Sequence, residues 1–156
     1  VHRVRRHLAD EEEVREEGGE EEDLEEEGLT MPSIDPTPEQ FQAFVQAPIE
    51  GPVRMLNLLA FAPDGGRESY LRYAQQALPH IERVGAKVIF HGDARATLIG
   101  EESWDEVLIV EYPSRQAFLD MVMTPEYQAI TKLRTEGLRD SRLICTTPGA
   151  WVTEAG

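Results

Sequence analysis

The chain has 156 residues and a formal net charge of −15, room for one ordinary domain and an appendage. Residues 1–30 carry 13 acidic and 4 basic side chains, so the rest is only mildly acidic and lacks the basic stripe that nucleic-acid binding needs. Cys145 is the single cysteine, which excludes an intrachain disulfide and a cysteine-built zinc site, and every apolar run is too short to span a membrane as a helix.

The first segment reads DEEEVREEGGEEEDLEEE from Asp10 to Glu27. Like charges repel along such a run, and only Val14 and Leu24 offer apolar surface against an ordering cost of roughly 1–2 kcal/mol per residue. Residues 1–30 are therefore expected to be a disordered acidic tail. The arginines near the N-terminus are followed by acids rather than by the apolar stretch of a signal peptide, so a cytoplasmic setting is expected. Met31 stands where ordered sequence begins, and the natural protein is hypothesised to start there. Native peptides from residues 1–30 would refute that.

Residues 31–52 read as an N-terminal helix and linker. Thr37, Pro38 and Gln40 spell a capped helix start, with Phe41, Phe44 and Val45 on one face and Pro48 ending it. Val53–Phe61 is a strand apolar on both sides: Met55, Asn57, Leu59 and Phe61 alternate with Leu56, Leu58 and Ala60. After a turn at Pro63–Gly66 comes an amphipathic helix, about Arg67 to Val84. Its buried stripe is expected to hold Tyr70, Tyr73, Ala74, Ala77, Leu78, Ile81 and Val84, with Pro79 bending it and Gly85 closing it.

Lys87–Ile99 is expected as a long strand with a bulge at Gly92-Asp93. A hairpin loop at Gly100–Ser103 then leads to a strand over Trp104–Tyr112. Ser114 caps a helix bearing Ala117, Phe118, Met121 and Val122, and Thr124-Pro125 starts another that buries Tyr127, Ile130 and Leu138. Asp140–Thr147 closes the domain as a strand, and residues 148–156 form a tail with Trp151.

The order strand–helix–strand–strand–helix–strand over residues 53–147 predicts an α+β, ferredoxin-like βαββαβ domain, a four-stranded antiparallel sheet with helices on one face. The other face, assigned Met55, Leu59, Ile89 and Ile109, is too apolar to stay wet. A second copy packed sheet on sheet would cover it, which predicts a homodimer.

The segments MLNLLAF, YLRYAQQALPHIERVGAKVIFHG, LIGEESWDEVLIVEYPSRQAFLDMVMTPEYQ and DSRLI resemble the domain-of-unknown-function 1330 family of the dimeric α/β-barrel superfamily. That resemblance covers about Met55 to Thr147. It implies a dimer of ferredoxin-like protomers with a cavity between sheet and helices or inside the barrel. Superfamily relatives include cofactor-independent monooxygenases, haem-handling proteins, lactone isomerases and stress-response proteins, so function has to come from the site.

Candidate chemistry is sparse. Asn57 is a polar amide in an apolar strand, either a group that orients a ligand or a satisfied core amide. His91, mid-strand beside Ile89, Asp93 and Arg95, is a candidate general base or haem ligand, or else an interface histidine. Glu111 and Arg142 read as ion-pair partners or as a pocket acid and an anion anchor. Tyr70, Tyr73 and Trp104 read as core or as pocket walls, and Arg95 as a ligand contact. His80 reads as solvated, Cys145 as an inert thiol, and the acidic group Glu101, Glu102, Asp105 and Glu106 as a solvated loop. With no phosphate loop, HExxH helix or nucleophile elbow, no cofactor is called for. The expectation is a homodimer binding a small organic molecule between sheet and helices. The alternatives are a cofactor-independent monooxygenase- or isomerase-like enzyme, with His91 or Glu111 moving a proton, and a non-catalytic structural or regulatory dimer.

Overall fold

In the computed structural model the structure describes residues 33–151. The acidic tail and the start hypothesised at Met31 lie outside them. The elements are α1 (Pro38–Gln46), β1 (Val53–Phe61), α2 (Gly66–Arg83), β2 (Lys87–Asp93), β3 (Glu106–Tyr112), α3 (Arg115–Val122), α4 (Pro125–Gly137) and β4 (Leu138–Thr146). The strands form a four-stranded sheet in the order β2-β3-β1-β4, with every neighbouring pair antiparallel. This is the expected α+β, ferredoxin-like arrangement.

Local signals set most boundaries. The Thr37 hydroxyl accepts from Gln40 N at 3.1 Å, and the Gln40 side chain accepts from Thr37 N at 3.2 Å, the reciprocal capping box its sequence spells. Ser114 and Thr124 likewise accept from Ala117 N and Tyr127 N to open α3 and α4. Phe44 of α1 docks on the same chain, edge-on to Phe118 at 5.7 Å, and Arg115 donates to the carbonyls of Phe44 and Ala47. Gly85, at φ +78°, ends α2 in the left-handed region that a side chain resists.

Directly paired residues share a sheet face, so the register assigns the two sides. Val53, Met55, Asn57 and Leu59 of β1 pair with Tyr112, Val110, Leu108 and Glu106 of β3. This is the face the helices cover: Val53, Met55, Leu59, Val110 and Tyr112 form one core with Tyr70, Tyr73 and Ala77 of α2 and Tyr127 of α4.

That corrects the assignment of the open face. Met55 and Leu59 are 4% and 1% exposed and belong to the core. The open face is instead carried by Leu56 and Leu58, paired with Ile109 and Val107 of β3, and by Phe90 of β2 and Ile144 of β4. None of these six joins the core. Ile109 is thus placed as expected, whereas Ile89 lies unpaired where the β2–β3 register shifts between Val88 and Phe90.

Other expectations also fail. The β2 bulge falls at Ile89, not at Gly92-Asp93, and the strand ends at Asp93 rather than Ile99. Residues 94–105 form a long arm between β2 and β3. Leu98 and Ile99 stand out at its tip, 95% and 91% exposed. β3 begins at Glu106, not Trp104. Leu78 is exposed rather than buried with its helix, and Leu138 is buried but opens β4, two residues earlier than expected. Trp151 is exposed.

Candidate functional site

The covered face of the sheet is not covered all the way across. α2 and α4 pack on each other and α2 also meets β1 and β4, while α3 meets β3. β2 extends beyond them, so its residues on this side, Val88 and His91, stay exposed. They form a ledge beside α2.

One nearly buried charge stands at the inner end of that ledge. Glu106 opens β3 on the covered face, opposite Leu59 on one side and Asp93 on the other. One of its carboxylate oxygens accepts from His91 Nε2 at 2.8 Å, and the other accepts from the Arg67 guanidinium in the first turn of α2. The Glu106 side chain is 12% exposed, against 57% for His91 and 54% for Arg67. The two bases shield the acid from water while keeping their own outer edges wet. Arg67 also lies over the Phe61 ring, 4.7 Å from its centroid.

Asn57 occupies the same row as His91, with Leu108 between them. Its amide nitrogen donates to the Met55 and Leu108 carbonyls, each at 3.2 Å. Its carbonyl oxygen accepts no hydrogen bond from the described residues. The amide is half satisfied: the nitrogen locks the side chain, and the oxygen remains available.

The four tyrosines of the chain, Tyr70, Tyr73, Tyr112 and Tyr127, are all buried. The Tyr73 and Tyr127 hydroxyls share a hydrogen bond at 2.5 Å, and the Tyr70 ring lies 5.6 Å from Phe61. Burial pushes the Tyr70 phenol up to about 12, with the Glu106 charge adding to it, and burial raises the other three as well. Tyr70 and Tyr73 are therefore core residues, Tyr70 forming the back of the Glu106 clamp.

The remaining predicted site residues lie elsewhere. Glu111 points to the open face, where it pairs with Arg54 at 3.0 Å and Lys87 at 3.8 Å, away from His91. Arg142 also belongs to the open face, opposite Leu58. It pairs with Glu102 at 2.7 Å and Asp140 at 2.8 Å and stacks on Trp104 at 5.0 Å. Burial alone would push Asp140 up, but hydrogen bonds from Ser33 N, Arg142 and Ser141 N hold its carboxyl below the usual value. Arg95 is exposed and pairs with Asp93 at 3.3 Å. Arg95 and Trp104, with Leu98, Ile99 and Val107, line a half-open cavity of about 380 Å³ under the arm. The candidate residues thus separate into two groups: His91 on the ledge with the half-buried Asn57 in the same row of the sheet, and Arg95, Trp104 and Arg142 at the arm. Cys145 is a half-buried free thiol whose pKa burial raises, which disfavours the thiolate.

Glu106 and Arg67 were missed from the sequence. A strand starting at Trp104 already places Glu106 on the side of Leu108, Val110 and Tyr112, which is the signal that could have found it. The neighbouring Glu101, Glu102 and Asp105 made it resemble loop charge. Among the described residues, no group of three or more histidine, cysteine or acidic side chains is placed to hold a metal ion.

A four-stranded antiparallel sheet with helices on one face and a polar clamp at an uncovered strand defines a ferredoxin-like α+β protein. The chain belongs to the DUF1330 family, a domain of unknown function, whose model matches residues 65–147. It is similar to a protein of unknown function from Rhodopseudomonas palustris, at 39% identity over 77% of this chain and 99% of that one, with a TM-score of 0.71. More distant likenesses show the fold alone. One is a DABB family protein with a ferredoxin-like fold from Mesorhizobium loti, at 13% identity and TM-score 0.50 over 65% of this chain and 100% of that one. Another is a dimeric ferredoxin-like protein of unknown function from Jannaschia, at 13% identity and TM-score 0.55 over 63% of this chain and 100% of that one. No curated protein matches the chain significantly.

Proposed function

We propose that this protein binds a small organic molecule on the β2 ledge, between His91, Asn57 and α2, and does so as a homodimer joined through its open sheet face. The observation that carries the ligand site is the Glu106 clamp. A carboxylate taken almost out of water and fastened to two bases gains little for stability over an apolar side chain of similar size. Its effect is to fix the His91 ring in the row that holds the Asn57 amide on the far side of Leu108, with the exposed apolar residue Val88 on the same face of β2. A few convergent polar groups against apolar walls make a ligand site.

Self-association is supported by the open face. Leu56, Leu58, Val107, Ile109, Phe90 and Ile144 are contiguous across the four strands and outside the core. An apolar patch of that kind on a sheet is stabilised by packing on a second sheet, and the Jannaschia protein of the same fold is described as dimeric.

Fragment screening by saturation-transfer NMR tests the ligand site. Compounds that bind the wild-type chain are expected to bind at least tenfold more weakly to His91→Ala and to Asn57→Leu, each variant being checked as folded by far-UV circular dichroism. Hits that bind both variants as well as wild type would place the ligand elsewhere.

A further inference from the structure

We infer that the ledge is a proton-transfer site, at which His91 Nδ1 removes a carbon-bound proton from a 2-oxo acid whose oxygens are held by Arg67. This inference rests on the ligand site proposed above and adds the chemistry and the ligand class.

The geometry begins with the histidine. Its Nε2 is committed to Glu106 at 2.8 Å, and a carboxylate, already taking a hydrogen bond from Arg67 on its other oxygen, can only accept. A neutral His91 therefore carries its hydrogen on Nε2 and presents a lone pair at Nδ1. No hydrogen bond from the described residues reaches Nδ1, and the exposed ring leaves it open to a ligand. An imidazole oriented by a buried acid through one nitrogen, with the other nitrogen free, is a positioned general base, and the imidazolium formed on proton uptake faces a carboxylate that stabilises it.

Arg67 supplies the other half. It touches the same carboxylate as His91, so its guanidinium lies within one small molecule of Nδ1. Its guanidinium carbon lies 4.7 Å from the Phe61 ring centroid, and its side chain is 54% exposed. A guanidinium fork takes two oxygens side by side. In a 2-oxo acid those are the carboxylate and the adjacent carbonyl oxygen, and the same fork stabilises the enolate when charge moves onto that carbonyl. Phe61, beside Arg67, offers apolar surface to the substituent.

The step is balanced without an oxidant, a metal or a second substrate. The C–H bond next to the carbonyl breaks, its electron pair forms the C=C bond, and the carbonyl pair moves onto oxygen as the enolate beside Arg67. The proton goes to Nδ1. Protonation of the oxygen then gives the enol, and return to carbon from solvent gives exchange. Glu106 acts through His91 and is a positioning residue.

The test uses the full chain in D₂O with phenylpyruvate as the probe. Proton NMR follows loss of the methylene signal, and saturation transfer reports binding. Wild type is expected to accelerate exchange above buffer, and His91→Ala to reduce the protein-dependent rate at saturating phenylpyruvate about 100-fold, with phenylpyruvate still bound through Arg67 though at least tenfold more weakly. Imidazole nitrogen shifts are expected to show the Nε2–H form of His91 in the wild type and a mixture of both forms in Glu106→Gln, whose exchange also slows. Phenylpyruvate binding with exchange no faster than buffer would overturn the proton transfer and leave the ligand site standing. Absence of both binding and exchange would overturn the 2-oxo acid assignment, while fragment hits that depend on His91 would still uphold the site. Acceleration that survives in His91→Ala would overturn the role of His91.

Discussion

Glu106 loses nearly all contact with water and recovers hydrogen bonds from two bases, one on each neighbouring element. Removing either base leaves a shielded carboxylate short of a partner, which costs more than the pair contributes. The clamp therefore behaves as a unit, and its geometry rather than its energy gives His91 a direction. The tyrosines show the opposite balance. Their rings fill the core, and their hydroxyls pay for burial by staying protonated. Tyr70 rises from an ordinary 10.0 to about 12, so its neutral form is the one the fold requires. The unfolded chain loses that proton first, so this contribution is complete below pH 10.0 and disappears as pH rises to about 12. The shift corresponds to about 3 kcal/mol. Alkaline titration is expected to show tyrosinate absorbance appearing together with loss of far-UV circular dichroism in that window. Tyrosinate appearing near pH 10 with the fold intact would contradict the buried placement.

Gly66 and Gly137 bring the start of α2 and the end of α4 into backbone contact. A Cβ on Gly137 would lie 2.8 Å from both Gly66 O and Tyr70 N, and one on Gly66 would lie 2.9 Å from Gly137 O. The obstructing atoms are backbone, so neither helix can yield without moving. Gly137→Ala is expected to destabilise the chain by about 1–3 kcal/mol, read as a lower urea midpoint with unchanged slope. An unchanged midpoint would mean that the two helices do not cross so closely. Helix caps and β1 were readable from sequence because Thr37, Ser114 and Thr124 state their roles locally and Val53–Phe61 is bounded by prolines and glycines. β2 was not. Its β-branched and aromatic residues continue toward Ile99, but the ladder ends where Ala94 N bonds Asp105 O and Asp105 N turns to Leu59 O, at 2.9 and 2.8 Å. Tertiary pairing decides that boundary, and no local signal announces it. The same extra residue at Ile89 fixes which side His91 faces, so the His91–Glu106 contact could not be reached by counting alternation.

The sheet gives the protein two different sides. One carries the aromatic core, with the ledge exposed only where β2 outruns the helices. The other is apolar, uncovered by core side chains, and bordered by an arm strapped down by Arg142, Trp104 and Glu102. Sequence pattern predicted both the sheet and an apolar open face but exchanged the two sides of β1, because every residue from Met55 to Ala60 except Asn57 is apolar and either side could be the buried one. Register with β3 settles it. The proposed ligand site on one side and the proposed pairing face on the other share no residues. Native mass spectrometry of the gently purified full chain reads both at once. A dimer carrying a small additional mass on each chain is the result this account predicts. A monomer at micromolar concentration would contradict the pairing of the open faces, and a dimer that takes up no small molecule even when supplied with the fragment hits would contradict the ledge as a ligand site.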